Sequence, residues 1–381
     1  MGQVPFAGMA WQVLHHLEGF RRLGHDVFYI EDTGSWPFDP IQNRVVPDSS
    51  YAVQFIQRIL NWCGLEGRWA YRSAPQNGRV FGLSDDDLAG LYARADILIN
   101  LTGATRLREE QLDVPVRIFL ETDPVLPEIE VAKGNSDTLA LLSAHTHHFT
   151  YGENIGLPGC GVPTGPFRYH ATRPPVIVEW WQTSREPRDC FTTIGNWKQT
   201  GKDIEWNGEI YAWSKHHSFM RFLEVPRLTD ECMELALSSV DDEIIQLLKS
   251  HGWRVRDSVT LSLDILRYRD YVQLSRGEFT VAKDQYVRPK SGWFSDRSVC
   301  YLAAGRPVLT QNTGFQRVLP VGEGLFPFET MEEIVSALEE VQSDYHRHSR
   351  AAAAVAHDCF RAETVLAKLL SDIGVESPKS R

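Results

Sequence analysis

No stretch of the 381-residue chain approaches the roughly eighteen consecutive apolar residues that a membrane-spanning helix needs. An integral helical membrane protein is therefore excluded. An excess of positive charge is missing too. The formal net charge is −11, whereas a general nucleic-acid binder needs a basic face to neutralise phosphates, so any anionic ligand must be met locally. There is no CxxC pair. The six cysteines, Cys63, Cys160, Cys190, Cys232, Cys300 and Cys359, lie at least thirty positions apart, several in apolar contexts such as VCYLAAG. That usage predicts reduced thiols, a cytoplasmic protein and no structural zinc. Met1 to Ala10 also lacks the basic stretch followed by an apolar one that marks a secretory leader.

What is present fits a soluble globular enzyme, and the length predicts two domains, each with its own core. The densest chemistry runs from Gly277 to Phe315. It reads as a cationic strand-like segment (Phe279 to Val287), a polar turn (Pro289 to Ser295), an apolar helix (Asp296 to Ala304), a Gly305 stop, a buried strand (Pro307 to Thr310) and a polar loop (Gln311, Asn312, Thr313, Gly314). Ser291, Gly292, Ser295 and Ser298 bracket the helix start, where unpaired N–H groups and the helix dipole favour an anion. Ser295 or Asp296 also serves as an N-cap. Capping leaves Lys283, Arg288, Lys290 and Arg297 unexplained. Four cations so close together point to a bound diphosphate.

Ahead of that stretch, a helix from about Ala10 to Leu23 leads through Gly24 to a strand, Asp26 to Ile30. A doubly wound domain needs a buried strand before this helix, so the first strand is expected to be very short or to lie upstream of Met1. Buried strands then follow at Asp96 to Leu101 and Val114 to Pro124, the second running into Asp123, where open α/β sheets place chemistry. His145, His147 and His148 lack metal-ligand spacing and are expected to line a cleft or pack in a core. Residues 157 to 190, rich in proline, read as an interdomain linker. The next strand, Asp189 to Trp197, delivers Asn196, Trp197 and Lys198 to a first ligand-contacting loop. A long alanine-rich helix spans Tyr345 to Leu370.

The combination FSDRSVCYLAAGRPVLTQNTGF, VGEGLFPFETMEEIVSAL and AGMAWQVLHHLEGFRRLGHDVFYIED resembles the GT-B fold glycosyltransferases over nearly the whole chain, most strongly in its second half. The resemblance implies two Rossmann-like α/β domains facing across a cleft. Residues 1–175 would form an acceptor domain and 186–345 a nucleotide-sugar domain, with a helix at 346–372 crossing back to the first. It also implies transfer of a hexose-like sugar from a nucleoside-diphosphate donor to an acceptor hydroxyl, with neither metal nor cofactor. One departure is clear. Cys300 stands where many retaining members carry the second glutamate of an E-x7-E pattern.

On this reading Asn196, Trp197, Lys283, Arg288, Ser295, Asp296, Arg297, Ser298 and Gln311 to Gly314 hold the donor. Asp123 is the candidate base for the acceptor hydroxyl, with His148 in reserve. Two other functions fit the same sequence, a sugar-nucleotide epimerase of this fold and a non-catalytic sugar-nucleotide-binding protein.

Overall fold

The computed structural model describes residues 1–375. Its second half is organised by six parallel strands in the order Arg254–Asp257, Cys232–Ser238, Cys190–Asn196, Gly277–Thr280, Val308–Gln311, Leu325–Phe328. Counted within the domain this is 3-2-1-4-5-6, the doubly wound order. Helices cover both faces, so the inner strands are apolar on both sides, and Phe191, Leu235, Phe279 and Leu309 are all buried. Helix starts follow the local chemistry. Asp241 accepts from the Ile244 N–H, and Thr330 and Glu333 form a capping box.

Besides a two-stranded ribbon, Phe38–Asp39 with Arg44–Val45, the first half carries two larger sheets. In one, Tyr29–Glu31 pairs in parallel with Trp69–Ser73, which pairs antiparallel with Arg79–Gly82. In the other, Ile97–Leu101, Val116–Glu121, His147–Thr150 and Tyr169–Ala171 run parallel. Helix Ala7–Arg22 packs closely on helix Ala362–Asp372. A Cβ on Gly19 would stand 2.5 Å from Leu366 and 2.9 Å from Ala362, so only glycine fits that crossing without movement. Arg22 secures the contact through Glu179 (2.7 Å) and Glu363 (3.0 Å).

Several elements depart from the sequence reading. The alanine-rich terminal segment is two helices, Tyr345–Phe360 and Ala362–Asp372. Arg361 breaks them with extended backbone (ψ 126°), and Val176 bonds to both Phe360 and Ala362 there. The proline-rich stretch is not a free linker: Tyr169–Ala171 adds a strand to the first domain, and Trp181 is fully buried. Residues 279–287 do not form one strand, because it ends at Thr280 and a short helix, Asp284–Val287, follows. A hairpin, Ile204–Trp206 and Glu209–Tyr211, turns at Asn207 (φ 52°) and Gly208 (φ 79°), the positive-φ pair of a two-residue turn.

The expectation of six free thiols is corrected. Cys190 and Cys232 occupy matching positions on neighbouring parallel strands, with Cα atoms 4.4 Å apart, and are joined as a disulfide. Their separation of 42 residues hid a pairing that the sheet register creates. Among the described residues no helix is long and apolar enough to cross a membrane, and no group of three or more His, Cys, Asp and Glu could hold a metal ion.

Candidate active site

In a doubly wound sheet the ligand crevice opens where the strand order reverses, here between the C-terminal ends of Cys190–Asn196 and Gly277–Thr280. A pocket lies at that place, lined by Thr193, Gly195, Asn196, Lys215, Thr280 and Arg297. Arg297 is fixed there by Glu278 (2.6 Å), the Ile194 carbonyl (2.7 Å) and the Thr280 hydroxyl (2.7 Å). Lys215 is different: among the described residues its ammonium has no hydrogen-bond or ion-pair partner, and it lies 5.5 Å above the Trp293 ring. Desolvation, and then the charges of Arg297 and Lys283, pull its pKa well below that of an ordinary lysine. An anion in the pocket would reverse that penalty.

Across the cleft stands Asp123, at the end of strand Val116–Glu121. Lys283 donates to it at 2.8 Å, and the Tyr286 hydroxyl donates to the same oxygen. Desolvation would raise the Asp123 pKa, but Lys283 and Tyr286 hold it below the usual range. Lys283 itself lies 3.2 Å over the Trp213 ring, and burial draws its ammonium down to about 8 in spite of Asp123. Two residues beyond Asp123, Val125 has φ 88°, a strained conformation for a β-branched residue. Its N–H is held by Glu128 at 2.7 Å. Burial raises the pKa of both Glu128 and its neighbour Glu121, two carboxyls packed behind the Asp123 turn.

Asp296 opens helix Asp296–Ala303 and accepts from Gln12 of the first domain at 3.1 Å. Burial pushes its carboxyl up to about 7, the Gln12 bond works against this, and the Asp123 charge adds to it. The cleft thus holds one ionised carboxylate and one that titrates near neutrality, the separation that lets a site offer both a base and an acid.

The four cations read from the sequence each have a carboxylate partner. Lys283 takes Asp123, Arg288 takes Asp284 and Glu209, Lys290 takes Glu329, and Arg297 takes Glu278. They therefore need no external anion to explain their clustering. Arg288 also stacks on Tyr211 at 4.1 Å and is committed to the hairpin. Ser295 makes no side-chain cap, and the buried Ser298 hydroxyl has no partner. Asn196 is exposed at the pocket rim and accepts from Ser238, whereas Trp197 is buried and stacked on Phe219.

The loop after Val308–Gln311 is engaged internally. Gln311 accepts from the Ala282 N–H (3.2 Å), Asn312 donates to Glu329 (2.7 Å), and Thr313 donates to the Trp293 carbonyl (2.6 Å). Gly314 (φ 94°) lies so close to Asn154 that a Cβ would meet its Nδ2 at 2.6 Å. His148 packs among Phe119, Phe167 and Tyr169, and its Nε2 bonds the Leu142 carbonyl at 2.9 Å, so the structure does not bring it to Asp123. Sequence reasoning missed Lys215. Its signal was a lysine in SKHH, at the end of the polar loop that follows the strand carrying Asn196.

No protein-family model and no curated protein matches the chain. Among solved structures it is similar to AviGT4, a glycosyltransferase involved in avilamycin A biosynthesis, with a TM-score of 0.50 and 13% identity over 95% of this chain and 88% of that one. It is also similar to Anabaena HepE in complex with UDP-glucose, with a TM-score of 0.48 and 12% identity over 84% of this chain and 88% of that one. With its two α/β halves, a crevice between them and its last helix returned to the first, the chain has the GT-B fold.

Proposed function

We propose that the protein is a glycosyltransferase that uses a nucleoside-diphosphate sugar, with the diphosphate in the pocket of Lys215 and Arg297 and the acceptor approaching from the side of Asp123. The unpartnered Lys215 ammonium carries the reading. A partly buried cation beside Arg297, without a carboxylate partner among the described residues and lining the pocket at the switch point of a doubly wound sheet, is arranged for an anion that the protein itself does not provide. The fold shared with AviGT4 supports the same class of reaction.

In the transfer, the acceptor oxygen bonds to the anomeric carbon while the bond from that carbon to the diphosphate oxygen breaks. The electron pair goes to the leaving phosphate, where Lys215, Arg297 and, once released from Asp123, Lys283 offset the charge. If the acceptor attacks directly, its proton passes to a carboxylate of the cleft, Asp123 or Asp296. Fixed cations can offset a leaving charge without a metal, and the proposal includes neither metal nor cofactor. The test is to incubate the purified protein with a panel of nucleoside-diphosphate sugars and follow free nucleoside diphosphate. Slow release that accelerates with acceptor, and is lost in Lys215→Ala, is the expected result. Inversion at C2 with deuterium uptake would make the protein an epimerase, and binding without turnover a sugar-nucleotide-binding protein. Absence of any nucleotide binding would overturn the site.

A further inference from the structure

The disulfide Cys190–Cys232 lies at the opposite end of the six-stranded sheet from the pocket of Lys215. Cys190 begins the strand whose other end, Asn196, lines that pocket. A second cavity, of about 270 Å³, opens at this end and is lined by Arg188, Asp189, Cys190, Glu234, Arg254 and Arg256. Glu234 is answered by Arg256 at 2.7 Å and by the Tyr271 hydroxyl at 3.0 Å. Arg254 has no carboxylate in ion-pair contact among the described residues, and its Nη1 lies 3.3 Å from the Cys190 sulfur instead. The two sulfurs are not equivalent. Cys190 is buried, whereas Cys232 is only partly so. Cys63, Cys160, Cys300 and Cys359 are free thiols, so the chain carries cysteine in both states.

Thiol–disulfide exchange favours attack on the more accessible sulfur and departure of the sulfur whose negative charge is better offset. Here the two preferences agree: Cys232 is the sulfur a thiolate can reach, and the Arg254 guanidinium waits beside Cys190. The bond also closes a particular piece of chain. Asn196, Gln199, Lys215 and Phe219, which line the first pocket, all fall within the 42-residue span between the two cysteines. We propose that Cys190–Cys232 is a reversible thiol–disulfide exchange site, opened by a dithiol reductant, and that its state sets how firmly the span carrying Lys215 is held. In the opening step a thiolate of the reductant bonds to the Cys232 sulfur. The bond to Cys190 breaks, and its electron pair stays on Cys190 beside Arg254. The second thiolate of the reductant then attacks the reductant sulfur held by Cys232, which frees Cys232 and leaves the reductant as a disulfide. The two protons given up by the dithiol end on Cys190 and Cys232. The ladder between the two strands remains, so reduction loosens the strand starts and the span between them without unfolding the domain. Any effect on donor binding rests on the function proposed above, whereas the exchange itself does not.

The test uses the full chain without denaturant. It is incubated with dithiothreitol, quenched with N-ethylmaleimide and digested with trypsin, so that peptides 189–198 and 228–249 report Cys190 and Cys232 separately. Both are expected to label, and oxidised dithiothreitol is expected to restore protection. Arg254→Gln should slow the opening at least about fivefold, while Arg254→Lys, which keeps the charge, should retain most of the rate. With glutathione as a monothiol and an acid quench, the adduct is expected on Cys232. After reduction, amide hydrogen exchange of peptides within residues 197–231 should rise at least about threefold. No labelling without denaturant, an adduct on Cys190, or a rate indifferent to Arg254→Gln would overturn the exchange site. Unchanged amide exchange within 197–231 would overturn its hold on the pocket span. No readout here uses a nucleotide sugar, so these failures are separate from a failure of the proposed function.

Discussion

Two strands of similar make-up behave differently in the two halves of this molecule. Gly277–Thr280, between Cys190–Asn196 and Val308–Gln311, is buried at every residue. Ile97–Leu101 is more apolar, yet only Asn100 of its five residues is buried. What separates them is the neighbour on one side. Burial of a strand is a property of the sheet around it, and apolar sequence only makes burial possible. The same contrast extends to the site: the six-stranded sheet carries the pocket at its switch point, while the four-stranded one delivers Asp123 from the strand next to Ile97–Leu101.

The strongest way to sharpen this contrast is to cut equivalent side chains. Leu309→Ala, at a fully buried site, is expected to cost about 2–5 kcal/mol, whereas Ile99→Ala, partly buried on an edge strand, is expected to cost less than about 2 kcal/mol. Urea unfolding of both variants measures this. Equal losses would mean that the first sheet is as well packed as the second. Next, Lys215→Ala is expected to lower kcat/KM by roughly ten- to a hundredfold or more, the scale of a charge-assisted contact made in the transition state. Its Tm should not fall, because the ammonium has no partner to lose and its desolvation is relieved. A large drop in Tm would make Lys215 a structural residue instead.

A smaller effect concerns pH. The Asp296 carboxyl titrates near 7 when folded, above its usual value, so the folded state binds its proton more tightly than the unfolded state. The stabilisation from that proton is complete below about pH 4 and is lost as pH rises through about 7. Asp296→Asn should therefore flatten the fall in stability between pH 4 and 7 relative to the parent, measured by Tm across that range. It should also remove an inflection near neutrality from the pH–rate profile. An unchanged slope would show that Asp296 is ionised in the folded protein.

The architecture was legible because its signals are local. Caps such as Thr330 with Glu333, the glycine stop at Gly305 and the buried strand at Val308–Gln311 are written in adjacent residues. The Asn207–Gly208 turn was equally local and went unread, although that dipeptide favours a hairpin. Other features arise only when distant residues meet. Nothing near Cys190 announces Cys232, and nothing near Arg297 announces Glu278, whose ion pair answers a charge that looked unmatched along the chain. The same applies to Lys215: its isolation is a statement about which side chains fail to reach it. Asp123 was readable from its place at a strand end, but Lys283 and Tyr286 reach it from the other domain.

Asn154 has a mechanical consequence. From the first domain its side chain donates to the carbonyls of Lys290 and Gly314 at 3.0 Å each, while its own N–H meets the Ser291 carbonyl at 3.0 Å. Nearby, Gly161 bonds the Pro289 carbonyl at 2.8 Å and Arg317 the Pro158 carbonyl at 2.8 Å. Swinging the halves apart at this seam would strand the buried side-chain amide and backbone N–H of Asn154, each at a cost of about 1–3 kcal/mol. The seam therefore behaves as a weld rather than a hinge. On the proposed function, a donor would then enter past side chains at the mouth of the pocket, where the Lys283–Asp123 pair bridges the two halves.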